Sequence, residues 1–478
     1  MMFADSEIAA GAERGEPAGL AEPPEKTDAA WAWARYEPGA KRPWDLRLAG
    51  HLFRRAAFGA TWDQLQEALR DGPQRAVDKL LRPGADVAAF HRSYDELEAD
   101  VDPESESTDT IRAWWLRRMM QTPHPLLEKM TLFWHNHFAT SPARGTHALS
   151  MHRHLQLVRR HALGKFSELL GAIVTDAAML VALDAGTNRK ARPNQPFARD
   201  LLERFTVGPG NFSEKDVSEV ARAFTGWFVV RNRVRYAARE HDEGRKTVFG
   251  QEGAWTGEDV VRILLARPGT PRLVVRKLFR WLVSEVDDPG EAFIEPLAES
   301  FAKDYDVTKL VETILRSNLF FSTGAYRRRI KCPVEYALGI VQGMEETVNP
   351  EPLGHALAAL GQNLCHPPTV KGWSGGKVWI NQATLIGRSN LAWALLSASP
   401  PYADRLNPLS AAEKHGPSTV TAAARFFLDL YLQGDVPSAK RQELMQMAAG
   451  VGSARADQVK RAREVAYAVV TLPEFQLA

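Results

Sequence analysis

The stretch P-L-L-E-K-M-T-L-F-W-H-N-H-F at 125–138 decides the fold class. Leu126, Met130, Phe133 and Trp134 recur at the three-to-four-residue spacing of one helical face. His137 falls on that face. His135 lies two positions earlier, about 200° around the helix, so the two histidines cannot chelate one metal together. The same periodicity recurs at 111–120, 149–162, 166–183, 214–225, 256–266, 270–283, 291–303 and 307–317. It continues at 334–344, 352–364, 382–397, 418–432, 438–449 and 456–472. Alternation of period two occurs in one place, where Val230, Asn232, Val234 and Tyr236 interleave with Arg231, Arg233 and Arg235. There Thr247 to Phe249 is expected to return after the H-D-E-G turn and pair with this strand.

The expected fold is therefore mainly α, a large multi-helix domain with one β-hairpin inserted at about 228–250. Residues 1–44, rich in Ala, Gly, Glu and Pro, read as a flexible tail. Residues 45–400 read as the helical core and 401–478 as a helical segment packed on it. Residues 97–109 read as an acidic loop around Pro103. No repeat of fixed period indicates a solenoid.

Sixty basic residues against fifty-eight acidic ones leave a net charge of +2, so no nucleic-acid partner is expected. Two cysteines, Cys332 and Cys365, cannot build a disulfide framework or a thiolate zinc site alone. No window approaches the ~20 apolar residues of a membrane span. The first residues lack the positive start and apolar run of an export signal, so the chain as written reads as cytoplasmic.

Candidate chemistry gathers between 193 and 250. Arg199, Asp200 and Glu203 fall at i, i+1 and i+4 of a helix, where two carboxylates a turn apart suit a cation or an acid–base pair. The competing reading is an Arg–Glu brace, and Arg204 stands close enough to neutralise the pair. His241, Asp242 and Lys246 project from a turn at Gly244. A loop histidine beside an acid suits proton transfer or ligation, and the lysine suits an anion. Arg231, Arg233 and Arg235 form an anion platform or a charged strand edge that blocks aggregation. Ser213 with Asp216 reads as a capping box. His154 and His161 share a face and read as packing. Trp373 and Trp379 could wall a pocket or simply be buried. A metal set would draw on His137, Glu203 and His241, with a divalent cation as cofactor.

Further motifs occur in order: H-L-F-R-R-A-A-F-G at 51–59, R-H-A-L-G-K-F at 160–166, F-A-R-D-L-L-E-R-F-T-V-G at 197–208, A-R-A-F-T-G-W at 221–227, H-D-E-G-R-K at 241–246, K-C-P-V-E at 331–335, H-P-P-T-V-K-G-W at 366–373, W-I-N at 379–381 and P-E-F-Q at 473–476. With F-W-H-N-H-F at 133–138, they resemble the bacterial domain-of-unknown-function 1800 family from about residue 46 to the end. The resemblance implies a large bacterial protein, in a family often exported and often encoded beside a partner protein. It implies no established activity. The family block usually carries Glu-Asn where Gln195 and Pro196 stand, Glu where Asp200 stands, and an apolar residue where Arg204 stands. The functional expectation is a hydrolytic or metal-assisted enzyme. Asp200, Glu203, His241 and Asp242 would be its catalytic set, with Lys246, Arg199, Arg231, Arg233 and Trp373 binding substrate. The alternative is a non-catalytic binding or assembly protein that works with the co-encoded partner.

Overall fold

A computed structural model of the chain describes residues 28–84, 86–99, 107–140, 148–286, 288–402, 405–452 and 454–478. The architecture is mainly α, as the periodicity predicts, with two small antiparallel sheets of two strands each. The helix Pro125–His137 has Leu126, Met130, Thr131, Trp134 and His135 fully buried. Trp134 stacks with Phe138 and Phe166 at centroid separations of 5.9 and 5.5 Å. Truncating such a buried indole to alanine costs about 3–5 kcal/mol. Because neighbours enclose this helix on both sides, His135 is as buried as His137, although the two point apart.

A second central helix, Pro333–Gly343, is buried nearly all round, as a helix apolar on every face must be. It is tied to Gln382–Leu396 by Tyr336, whose hydroxyl bonds the Arg388 carbonyl at 3.2 Å. It meets Val420–Leu432 through Tyr431, whose hydroxyl bonds the Ile340 carbonyl at 2.9 Å. Chain from the last segment closes the same layer. The Lys331 amide donates to the Gln476 carbonyl at 2.8 Å, and Ile330 bridges Leu477.

Local signals set several boundaries. Thr61 with Gln64 and Ser213 with Asp216 form capping boxes, each satisfying amides that a helix start leaves orphaned. The expected single helix at 166–183 is two, Phe166–Ile173 and Ala177–Ala182. Asp176 breaks it: its carboxylate accepts from the Met179 amide at 2.9 Å and from His154 Nδ1 at 2.8 Å. In place of a loop beginning at 97, the helix Asp86–Ala99 is present, and the next begins at Thr108. Residues 100–106 of the expected acidic loop lie outside the described residues.

Two expectations need correction. The first is the hairpin. β1 (Trp227–Val230) pairs with β2 (Arg233–Tyr236), and β3 (Lys246–Val248) pairs separately with β4 (Gln251–Gly253). Arg231 and Asn232 have positive φ of 50° and 59°, so they form a tight two-residue turn instead of continuing a strand. The second is the tail. Residues 1–27 lie outside the described residues, but 28–44 pack on the core. Asp28 caps the helix Ala29–Trp33, the Tyr36 ring is 1% exposed, and the Tyr36 amide donates to the Arg316 carbonyl at 2.7 Å. The tryptophans and tyrosine in this composition-poor stretch give it apolar surface to bury.

Candidate functional site

Helix Pro125–His137, helix Gly269–Leu282 and the loop from Lys371 to Trp379 enclose a cavity of about 230 Å³. Phe133, Trp281, Trp373 and Trp379 wall it, and Lys277, Arg280, Arg329 and Lys371 bring positive charge against the one acid, Glu285. Asn136 fastens the loop: its carbonyl accepts from the Trp373 amide at 2.6 Å and its amide donates to the Trp373 carbonyl at 3.2 Å. Gly372 must be glycine here, because its φ is +73° and a Cβ would collide with the Asn136 side chain. Glu285 is used the same way, accepting from the Ile330 and Gly376 amides at 3.2 and 3.3 Å. Its charge braces the wall.

Lys277 donates to His137 Nδ1 at 2.8 Å and to the Arg204 carbonyl at 3.0 Å. With Nδ1 accepting, the His137 proton is assigned to Nε2. Burial, reinforced by Arg204, lowers the Lys277 ammonium to about 8. Burial and then Lys277 keep His137 neutral, well below the usual imidazole range. Cys332 also borders the cavity, but burial pushes its thiol up to about 12, so it is no thiolate nucleophile at neutral pH.

Two buried donors on this lining have no hydrogen-bond partner among the described residues, Trp281 Nε1 and Arg329 Nε, whereas His137 Nε2 has the Phe205 backbone carbonyl beside it. An unmade hydrogen bond at a buried donor costs about 1–3 kcal/mol, so each asks for an acceptor. The Arg329 guanidinium also lies 4.8 Å from the centre of the Trp281 ring.

The residues singled out from sequence divide sharply. His137 and Trp373 line the cavity. The carboxylate helix does not join them. It runs Gln195–Asp200 and then widens into a π turn over Leu201–Phe205, which breaks the α spacing assumed for Arg199 and Glu203. Arg199 pairs with Glu214 and not with Glu203, while Asp200 is taken by Arg204. Glu203 sits half-buried on that turn. Gln195 and Pro196 are exposed in the first turn of this helix, which Asn194 caps at the Phe197 amide.

The turn at 241–246 is a closed structure of its own. His241 Nδ1 meets the Thr225 carbonyl at 2.9 Å. Asp242 takes two bonds from Arg222, at 2.7 and 3.1 Å, and that guanidinium, against a smaller effect of burial, holds its carboxyl below the usual range. Lys246 is buried and donates to the carbonyls of Asp242 and Gly244. His241 and Asp242 border a separate hollow with Lys190 and Arg239. Arg231, Arg233 and Arg235 are exposed on the first hairpin. His137, Glu203 and His241 are thus not brought together. Among the described residues no group of three or more His, Cys, Asp or Glu stands where it could hold a metal ion.

Sequence reasoning missed Lys277, Trp281 and Arg329. Lys277 and Trp281 stand at i and i+4 of one amphipathic helix, and that spacing is the one trace these two leave in the sequence.

A family model described as protein of unknown function (DUF1800) matches residues 51–477. No curated protein matches the chain, and no solved structure does.

Proposed function

The chain belongs to the DUF1800 family, and for this member we propose that the tryptophan-walled cavity binds a small anionic molecule carrying one ring or planar face. The observation that carries this reading is the set of unanswered donors. Trp281 Nε1 and Arg329 Nε lack partners among the described residues, on the lining that also holds Lys277, Arg280 and Lys371. A carboxylate or phosphate supplies acceptor oxygens and the opposite charge together. The indoles supply a stacking face. At about 230 Å³ the space is smaller than the ~300–1,000 Å³ of drug-sized sites, which favours a single ring.

The Lys277–His137 pair supports a catalytic form of the same reading. An ammonium near 8 beside a neutral imidazole is an acid–base pair poised near physiological pH. In that form the chemistry belongs to Lys277 and His137, and the Asp200, Glu203 and His241 set has no geometric support. Benzoate, glucuronate and glucose 6-phosphate, titrated by tryptophan fluorescence and thermal shift, test the site. Saturable binding by at least one probe, weakened in Lys277→Met and in Trp281→Phe, is expected. Equal responses from wild type and both variants would remove the cavity from consideration.

A further inference from the structure

On the far side of Arg329, away from the cavity, lies an unusual concentration of buried charge. Arg54, Arg55, Lys129, Arg329, Lys331 and Arg388 are all buried. The one fully buried carboxylate among them is Glu335, which bonds Lys129 and Arg329 through Oε1 and the Cys332 amide through Oε2 at 2.9 Å. Glu285 and Asp435 approach from half-buried positions, Glu285 toward Arg55 and Arg329, and Asp435 toward Arg54. Positive charge remains in excess. Burying an uncompensated charge costs several kcal/mol, and an arginine cannot shed its proton to avoid it.

Arg54 and Lys331 both line a void of about 30 Å³ beneath Phe58 and Tyr431. Arg54 spends Nη1 on Gln433 and leans on Tyr326, with that ring's centre 5.6 Å away and its hydroxyl within reach, while Nε and Nη2 make no well-formed hydrogen bond among the described residues. The Lys331 ammonium lies 3.5 Å from the centre of the Phe475 ring. Burial and then the neighbouring Arg54 drive it well below the usual lysine range, a direction that a bound negative charge would reverse. The void is roughly two water spheres in size, too small for phosphate or a carboxylate ligand. Water would satisfy the donors but leave the charge. The Glu335 carboxylate also faces the void, yet both its oxygens are already engaged.

We propose that the void between Arg54 and Lys331 is a structural site for one monovalent anion of chloride size. The anion would add a tie between the segments 51–59, 331–335 and 430–433, all of which line the void. Crystals of the full chain grown in sodium bromide should give a bromine anomalous peak in the void. Thermal unfolding should show a saturable rise of a few degrees in chloride or bromide over gluconate at matched ionic strength, lost in Arg54→Met. A bromine signal confined to the surface overturns the proposal, leaving a water and a neutral Lys331. So does identical unfolding in chloride and gluconate. If Arg54→Met does not fold, the bromide diffraction of the unaltered chain decides alone.

Discussion

The cavity beneath the 371–379 loop and the turn at 241–246 hold the same kinds of side chain, yet they differ in one respect. In the turn, the candidate groups are answered locally: Asp242 and Glu219 by Arg222, Lys246 by two carbonyls, His241 by the Thr225 carbonyl. On the cavity lining, Trp281 Nε1 and Arg329 Nε are buried without a hydrogen-bond partner among the described residues. Polar crowding marks a closed turn as readily as a site. Unanswered donors in a concavity are the better pointer to a site, because an acceptor from outside the chain, ligand or water, has to repay their desolvation.

The largest effect expected concerns the wall the two cavities share. Glu335→Ala strips Lys129 and Arg329 of their common counter-charge and should cost about 3–5 kcal/mol, read as a drop in the denaturant midpoint. A loss under about 1 kcal/mol would mean that the cationic core is neutralised in another way. Next comes Lys277→Met, which should weaken the best anionic probe about ten- to a hundredfold, the worth of a charged hydrogen bond. pH offers a check with opposite signs. Probe affinity should fall as pH rises through about 8, where Lys277 loses its proton. Its contribution to stability should rise between about 8 and the ordinary lysine value near 10.5, because there the unfolded chain binds the extra proton. Affinity that is flat across this window would separate Lys277 from the ligand.

How much was legible beforehand follows from the same contrast. Helical class was readable because Leu126, Met130, Phe133 and Trp134 announce their face by spacing alone. The break at Asp176 was not, because it depends on His154, twenty-two residues earlier in the chain. The second hairpin stayed hidden behind a plausible alternation whose middle, Arg231 and Asn232, is a positive-φ turn. His137 and Trp373 were picked out of motifs, but their meeting depends on Asn136 clasping the 373 backbone. Lys277, Trp281 and Arg329 carry no motif. Trp281 and Arg329 stand out by a buried donor without a partner among the described residues, and Lys277 by its place between His137 and the Arg204 carbonyl, properties no local sequence pattern encodes.

Breaking the turn should cost less than altering the cavity. Arg222→Ala leaves Asp242 and Glu219 without their shared guanidinium, but these groups are partly solvated, so about 1 kcal/mol of stability is expected. Probe affinity in the cavity should not change.

Smaller still is the effect of Arg231→Gln with Arg233→Gln. Both guanidiniums are exposed, and no ion pair holds either among the described residues. Substitutions at such positions stay within about 0.5 kcal/mol. Arg231 does occupy a positive-φ turn position, so glutamine, itself disfavoured there, keeps the strain similar and leaves charge as the variable. If the arginines are an anion platform, the double variant should lose affinity for a polyanion such as heparin while keeping the cavity probes. If they only guard an exposed edge, binding will be unchanged and aggregation on heating will rise, because β2 pairs with no strand but β1 among the described residues, whereas β1 is also bridged to Thr187. The second outcome is expected, since Val230 and Tyr236 beside them are about half exposed at 52% and 48%, and charge between them is what keeps another strand from docking.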